Sequence, residues 1–170
     1  CQGFSLAGKR NVLDPRNQLF CYMANIAELL RPKYVVLENV RLLTSMKAPD
    51  GSFVKDHILN AFDGAGYRTE YRELNAQDYG VPQSRERVFF ISVRKDLPAL
   101  NPRFPLPTHF AKNNCAPLFA QYAKPYATFR DATSDLPVIG PGQFCAADPL
   151  HFGVAHPPHV IEWLVHTPEG

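Results

Sequence analysis

The sequence predicts a mixed α/β fold over about its first 97 residues, a parallel-rich sheet with helices packed on it, followed by an irregular, loop-rich region running to residue 170. Three observations predict this. Apolar residues recur at helical spacing in two stretches. Short runs rich in β-branched and aromatic residues stand between and after those stretches. Most of the 16 prolines fall after Leu97, where regular elements become hard to sustain.

The first helix is expected from Asp14 as N-cap and Pro15 at the first helical position, with Leu19, Met23, Ile26, Ala27 and Leu30 on one face and a stop near Pro32. Tyr34, Val35, Val36 and Leu37 form a continuous apolar run of the kind that becomes a buried strand in a parallel sheet. It delivers Glu38, Asn39 and Val40 at its carboxyl end, where such sheets place their ligands. Phe53, Val54, Ile58, Ala61 and Phe62 predict a second helix ending at Gly64 and Gly66. Strands are expected over 67–74 and 87–93, the latter around Val88, Phe89, Phe90 and Ile91. In the proline-rich part, short helices are expected over 130–136 and 158–165, the second with Val160, Ile161, Trp163 and Leu164 as its apolar contacts.

Composition narrows the class of protein. At 45% hydrophobic and 20% charged residues the chain can bury a core and is unlike a disordered segment. No run approaches the ~18 apolar residues of a membrane span, and no signal-peptide pattern opens the chain, so a soluble cytoplasmic protein is expected. Cys1, Cys21, Cys115 and Cys145 form no C-x-x-C pair, which points to reduced thiols and to neither a zinc site nor a disulfide framework. A formal charge of +2 is too small to mark a nucleic-acid binder. The chain starts on a cysteine instead of a methionine and stops just after a helical pattern, so it is expected to be a segment of something longer.

Three short segments carry chemistry. Cys1-Gln2-Gly3-Phe4-Ser5 places a thiol in a glycine-containing loop, which can present a thiolate and leave Ser5 and backbone amides for an anion such as phosphate; taken alone, a cysteine there is more often just a small residue. Glu38 follows an apolar strand, where it can hold or share a proton with a bound base, or equally serve as a capping or ion-paired carboxylate. Gln83-Ser84-Arg85-Glu86-Arg87 opens a strand, and period-two alternation puts Arg85 and Arg87 on one face toward a planar or anionic ligand, although most such pairs are solvated strand ends.

Taken together, in this order and spacing, the three segments resemble the DNA cytosine-5 methyltransferase family. Ala7-Gly8-Lys9-Arg10 with Asp14-Pro15-Arg16, the stretch from Asn75 to Pro82, and Arg130-Asp131-Ala132 with Asp135-Leu136-Pro137 agree with it. The resemblance is close over about residues 1–97 and loose over 128–137. It implies a partial Rossmann-like class I methyltransferase sheet (1–97) followed by the start of a target-recognition region (98–170). It also implies duplex DNA and S-adenosylmethionine as partners, no metal, and a restriction-modification role in a bacterial or phage-infected cell. By the same resemblance Cys1 is the nucleophile that adds to carbon 6 of a flipped-out cytosine. Glu38 shares a proton at ring nitrogen 3, and Arg85 and Arg87 serve the carbonyl and steady the glutamate. Gln2, Ser5, Asn39 and Gln83 are supporting contacts.

The pattern also departs from the family. A proline before the cysteine and a glycine-rich strand end for the cofactor are missing, as are the family's last segments, so the cofactor-binding residues lie mostly upstream of residue 1 and downstream of residue 170. The segment alone is therefore expected to be inactive, needing the missing part of the enzyme, as a separate chain if the protein is split. Three other readings remain at this level. A tRNA methyltransferase of the same family uses similar Cys and Glu-Asn-Val chemistry. A cysteine hydrolase would need one of His57, His109, His151, His156, His159 or His166 as its base, yet none sits in a motif. A non-catalytic remnant could bind DNA or a partner subunit.

Overall fold

The structure, a computed structural model, describes residues 18–98, 100–111 and 124–168. The element order is α1 (Leu19–Leu30), β1 (Tyr34–Val40), a 3-10 turn (Arg41–Thr44), α2 (Val54–Gly64), β2 (Tyr67–Asn75), a second 3-10 turn (Ala76–Tyr79) and β3 (Glu86–Arg94). The short strands β4 (His109–Phe110) and β5 (Lys124–Pro125) and the helices α3 (Phe129–Thr133) and α4 (Pro158–His166) follow. The chain forms two compact units, residues 1–129 and 130–170.

In the first unit β1, β3 and β2 lie side by side in that order. The pairing is not the parallel one expected: β3 runs antiparallel to both neighbours. β1 and β2 do point the same way, joined across α2 as an alternating strand-helix-strand pattern implies, but β3 lies between them. The reason is the short link from β2 to β3: ten residues can reverse the chain but cannot carry it back along the strand for a parallel crossover. Among the described residues β1 is therefore an edge strand. Tyr34 and Val36 are exposed on it, so it is not the strand buried on both faces that its apolar run predicted.

The core lies on the helix-covered face. Val35, Tyr67, Val88 and Phe90 pack with Ala24 and Ala27 of α1 and with Val54, Ile58 and Phe62 of α2. The α2 residues are spaced four apart, which puts them on one helical stripe. The Tyr67 hydroxyl donates to the carbonyl oxygens of Ala27 and Pro32 and ties β2 to the end of α1. That end is a left-handed cap at Arg31, whose N–H returns to the Ala27 carbonyl before Pro32 stops the helix.

The face of α1 differs from expectation. Its core contacts come from Phe20, Met23, Ala24 and Ala27, while Leu19, Ile26 and Leu30 are exposed along with Tyr22 and Leu29. The helix is apolar on most sides, so periodicity alone did not choose the buried stripe. Asp14 and Pro15 lie outside the described residues, and the described N-cap, Gln18, makes no side-chain cap.

After β3, residues 104–110 fold back onto the second 3-10 turn. Thr108 N–H donates to the Asp78 carbonyl, the Tyr79 hydroxyl to the Pro105 carbonyl and the Tyr126 hydroxyl to the Asp78 carboxylate. The His109 ring sits on Gly80, where φ is +89° and an added Cβ would come within 2.7 Å of the ring, so only glycine fits there. The change of texture after Leu97 thus does not coincide with a break in packing.

In the second unit, residues 140–153 double back on themselves through reciprocal backbone bonds among Gly142, Gln143 and Gly153, and the Phe144 and Phe152 rings stack at 5.8 Å. The helix expected over 158–165 is present as α4, and the one expected over 130–136 is shorter, ending at Thr133 as α3. No helix among the described residues is long and apolar enough to cross a membrane.

Candidate active site

The strand directions bring three chain segments to one edge. Val40 of β1 and Leu74 of β2 both stand opposite Arg87 of β3, so the carboxyl ends of β1 and β2 flank the amino end of β3. Directly opposed residues share a face. Glu38, Leu74, Arg87 and Phe89 therefore all project from the face that α1 and α2 leave free.

On that face Arg87 Nε lies 3.0 Å from Glu38 Oε1, and the Arg87 guanidinium also donates to the Glu86 carbonyl at 2.8 Å. Arg87 is partly shielded at 23% exposure, whereas Glu38, at 43%, is exposed to an incoming ligand. The pair forms the polar wall of a cavity of about 390 Å³ that Arg85 also lines. The rest of the lining comes from Tyr79, Phe89 and Phe104 with Leu74, Ala76, Ile91 and Pro105. A few convergent charged groups set against aromatic walls suit a planar polar ligand, and the volume falls in the ~300–1,000 Å³ range of small-ligand sites. Arg72 stacks over Phe104 at 5.0 Å, and burial raises the Tyr79 phenol above its ordinary pKa.

Behind this edge, Arg41, the first residue after β1, holds Glu86 at 2.5 Å and Glu73 at 3.5 Å, and Thr44 donates to Glu73 at 2.8 Å. The cluster links the ends of all three strands and borders a second, wider recess of about 710 Å³. Arg85 and Gln83 line that recess, so Arg85 faces both spaces. Asn39 is buried on the other face, where its Oδ1 accepts the N–H of Val40 at 2.8 Å and steadies the strand end that carries Glu38.

Of the residues singled out in the sequence, Glu38, Arg85 and Arg87 meet at one cavity, Gln83 lies beside it and Asn39 lies beneath it. Cys1, Gln2 and Ser5 lie outside the described residues. Arg41, Tyr79 and Phe104 were missed. Arg41 could have been suspected from its place directly after Glu38-Asn39-Val40, whereas nothing in the local pattern around Phe104 marks it as a cavity wall. Among the described residues no group of three or more His, Cys, Asp and Glu side chains is arranged to hold a metal ion.

Residues 1–135 match the family described as C-5 cytosine-specific DNA methylase. The chain is 41% identical over 143 residues to the Type II methyltransferase M.DdeI of Desulfomicrobium norvegicum, covering 84% of this chain and 32% of that protein. It is 48% identical over 110 residues to the Type II methyltransferase M.XorII of Xanthomonas oryzae, covering 64% of this chain and 25% of that one. A crystal structure described as a DNA modification methyltransferase encoded within an E. coli prophage superposes with a TM-score of 0.55 at 26% identity, over 77% of this chain and 33% of that one. The chain thus spans a quarter to a third of the length of these relatives, and it belongs to the C-5 cytosine-specific DNA methylase family.

Proposed function

We propose that this chain is the base-binding and catalytic part of an enzyme that transfers the methyl group of S-adenosylmethionine to carbon 5 of a cytosine flipped out of duplex DNA, in a restriction-modification system of a bacterial or phage-infected cell. The observation that carries the proposal is the Arg87–Glu38 ion pair set in a largely apolar cavity that Tyr79, Phe89 and Phe104 help to line. The description of the matching family, C-5 cytosine-specific DNA methylase, favours DNA over the tRNA alternative. A hydrolase that pairs Cys1 with a histidine leaves that ion pair without a task.

In this reading the Cys1 thiolate bonds to carbon 6 of the ring, and the electron pair of the 5,6 double bond moves toward carbon 5 and the ring heteroatoms. Glu38 shares a proton with ring nitrogen 3 and accepts from the exocyclic amine. Arg85 and Arg87 donate to the ring carbonyl, and Arg87 also keeps the Glu38 carboxylate in register through its 3.0 Å contact. Asn39 fixes the strand end, while Gln2, Ser5 and Gln83 contact the backbone of the displaced nucleotide. S-adenosylmethionine supplies the methyl group when bound. No strand of the described sheet ends in a G-x-G turn that would grip such a cofactor.

The same-direction pair β1 and β2 on either side of β3 supports reading the sheet as part of a Rossmann-like class I methyltransferase domain, with the chain after Leu97 beginning the target-recognition region. The exposed apolar side of α1 (Tyr22, Ile26, Leu29) and the free edge of β1 would receive the remainder of that domain, which the relatives' greater length accommodates. The 170 residues alone are accordingly expected to be inactive, and measured methyl transfer by them would overturn that part of the proposal.

The central test uses the complete enzyme and a target containing 5-fluorocytosine. Fluorine cannot leave carbon 5 as a cation, so the covalent adduct accumulates. Cys1→Ser is expected to abolish the adduct and Glu38→Gln to slow its formation by about 100-fold or more. An adduct that survives Cys1→Ser would refute the nucleophile.

A further inference from the structure

The β2–β3 ladder ends at the pair Asn75 and Glu86. Arg85 stands one residue beyond it, at the meeting of the two cavities, where a strand partner no longer satisfies its backbone. A residue placed there swings with the loop unless something else holds it.

The Asn75 side chain takes over this task. Its Oδ1 accepts the Arg85 N–H at 2.9 Å, and its Nδ2 donates to the Ser84 hydroxyl at 3.3 Å. The same oxygen caps the 3-10 turn by accepting the Gln77 N–H at 3.4 Å, using the second lone pair of an amide carbonyl. The next residue completes the hold, since Ala76 N–H donates to the Arg85 carbonyl at 3.0 Å. One amide therefore joins the strand end, the loop that presents Gln83 and Arg85, and the turn whose Tyr79 walls the cavity. Alanine supplies none of these bonds. Aspartate keeps both acceptor bonds, and the Ser84 hydroxyl can then donate to the carboxylate.

We propose that Asn75 is the positioning residue that sets the Arg85 guanidinium at the base-binding cavity. This rests on the reading of Arg85 as a base contact, and the test separates the two. In the complete enzyme, the single-turnover methylation rate at saturating DNA is compared for Asn75→Ala, Asn75→Asp, Arg85→Ala and the double variant Asn75→Ala/Arg85→Ala, with thermal unfolding of each. Asn75→Ala is expected to slow the step about 10- to 100-fold with little change in the KM for S-adenosylmethionine, because misplacement by ~1 Å has effects of that order. Asn75→Asp should restore the rate to within about threefold. The double variant should be no slower than Arg85→Ala, since a group that acts only through Arg85 has nothing left to position. Effects of Asn75→Ala and Arg85→Ala that multiply would overturn the role of Asn75, as would Asn75→Asp as slow as alanine at an unchanged unfolding midpoint. A normal rate in Arg85→Ala would overturn the base contact itself, and the positioning role with it.

Discussion

The two faces of the central sheet divide the work between them. On the face under α1 and α2, Val88 and Phe90 of β3 are fully enclosed and Ser92 nearly so, its hydroxyl paired with Thr69 at 2.8 Å. On the opposite face the alternate residues Arg87, Phe89 and Ile91 are only partly covered and line the candidate site. Toward the far end of this second face burial returns. Val93 is fully enclosed there, where Arg68 reaches the carbonyls of Lys95, Leu97 and Leu100 and draws the chain back across the strand. Period-two alternation thus lets one strand serve as core and as site. Along β3 itself, the partly covered residues of this face are the ones that line the candidate site.

The largest expected effect comes from breaking the packed face. Phe90→Ala should lower unfolding stability by about 3–5 kcal/mol, read as a fall in urea midpoint, because a fully enclosed ring leaves a cavity. Arg87→Ala on the other face should do the reverse. It should slow methyl transfer by the complete enzyme about 100-fold while moving stability by less than about 1 kcal/mol. If Arg87→Ala unfolded the protein as Phe90→Ala does, the separation of tasks between the faces would fail.

Smaller effects sharpen the contrast. Tyr67→Phe should lose about 1–2 kcal/mol, since the Ala27 and Pro32 carbonyls lose their shared donor. It should also alter the alkaline limb of a stability profile. Burial, the largest cause, raises the Tyr67 phenol above its ordinary value of 10.0, so the folded protein keeps a proton that the unfolded chain gives up first. Its stabilisation is complete below about pH 10 and falls as the pH climbs toward the raised value; Tyr67→Phe should flatten that fall. Least of all, Arg41→Gln should alter stability by under about 1 kcal/mol, an effect that added salt removes, because Arg41, Glu73 and Glu86 are each about half exposed. A larger, salt-resistant loss would show that the cluster behind the site contributes more than surface ion pairs do.

Much of the local structure was legible beforehand. Val54, Ile58 and Phe62 repeat at four-residue spacing and are the residues α2 buries, and the run from Val88 to Ile91 lies within β3. The α1 face was right at Met23 and Ala27 but wrong at Leu19, Ile26 and Leu30, because Leu19, Tyr22, Ile26 and Leu29 form a second apolar stripe as regular as the buried one. Glu38, Arg85 and Arg87 were marked by motif, but the ion pairs of Arg41 and the place of Phe104 in the cavity wall depend on partners distant in the chain, and the bonds of Asn75 to Gln77, Ser84 and Arg85 depend on how the turn between them folds.

The sequence by itself therefore determined the elements and the chemically equipped segments, since helical and strand periodicity and motif wording are local properties of the chain. Only the tertiary structure decided that β3 enters between β1 and β2, which stripe of α1 is buried, and that Arg87 closes on Glu38 at 3.0 Å. Those outcomes depend on which apolar surfaces meet and on how short links can close, and both belong to the folded chain as a whole.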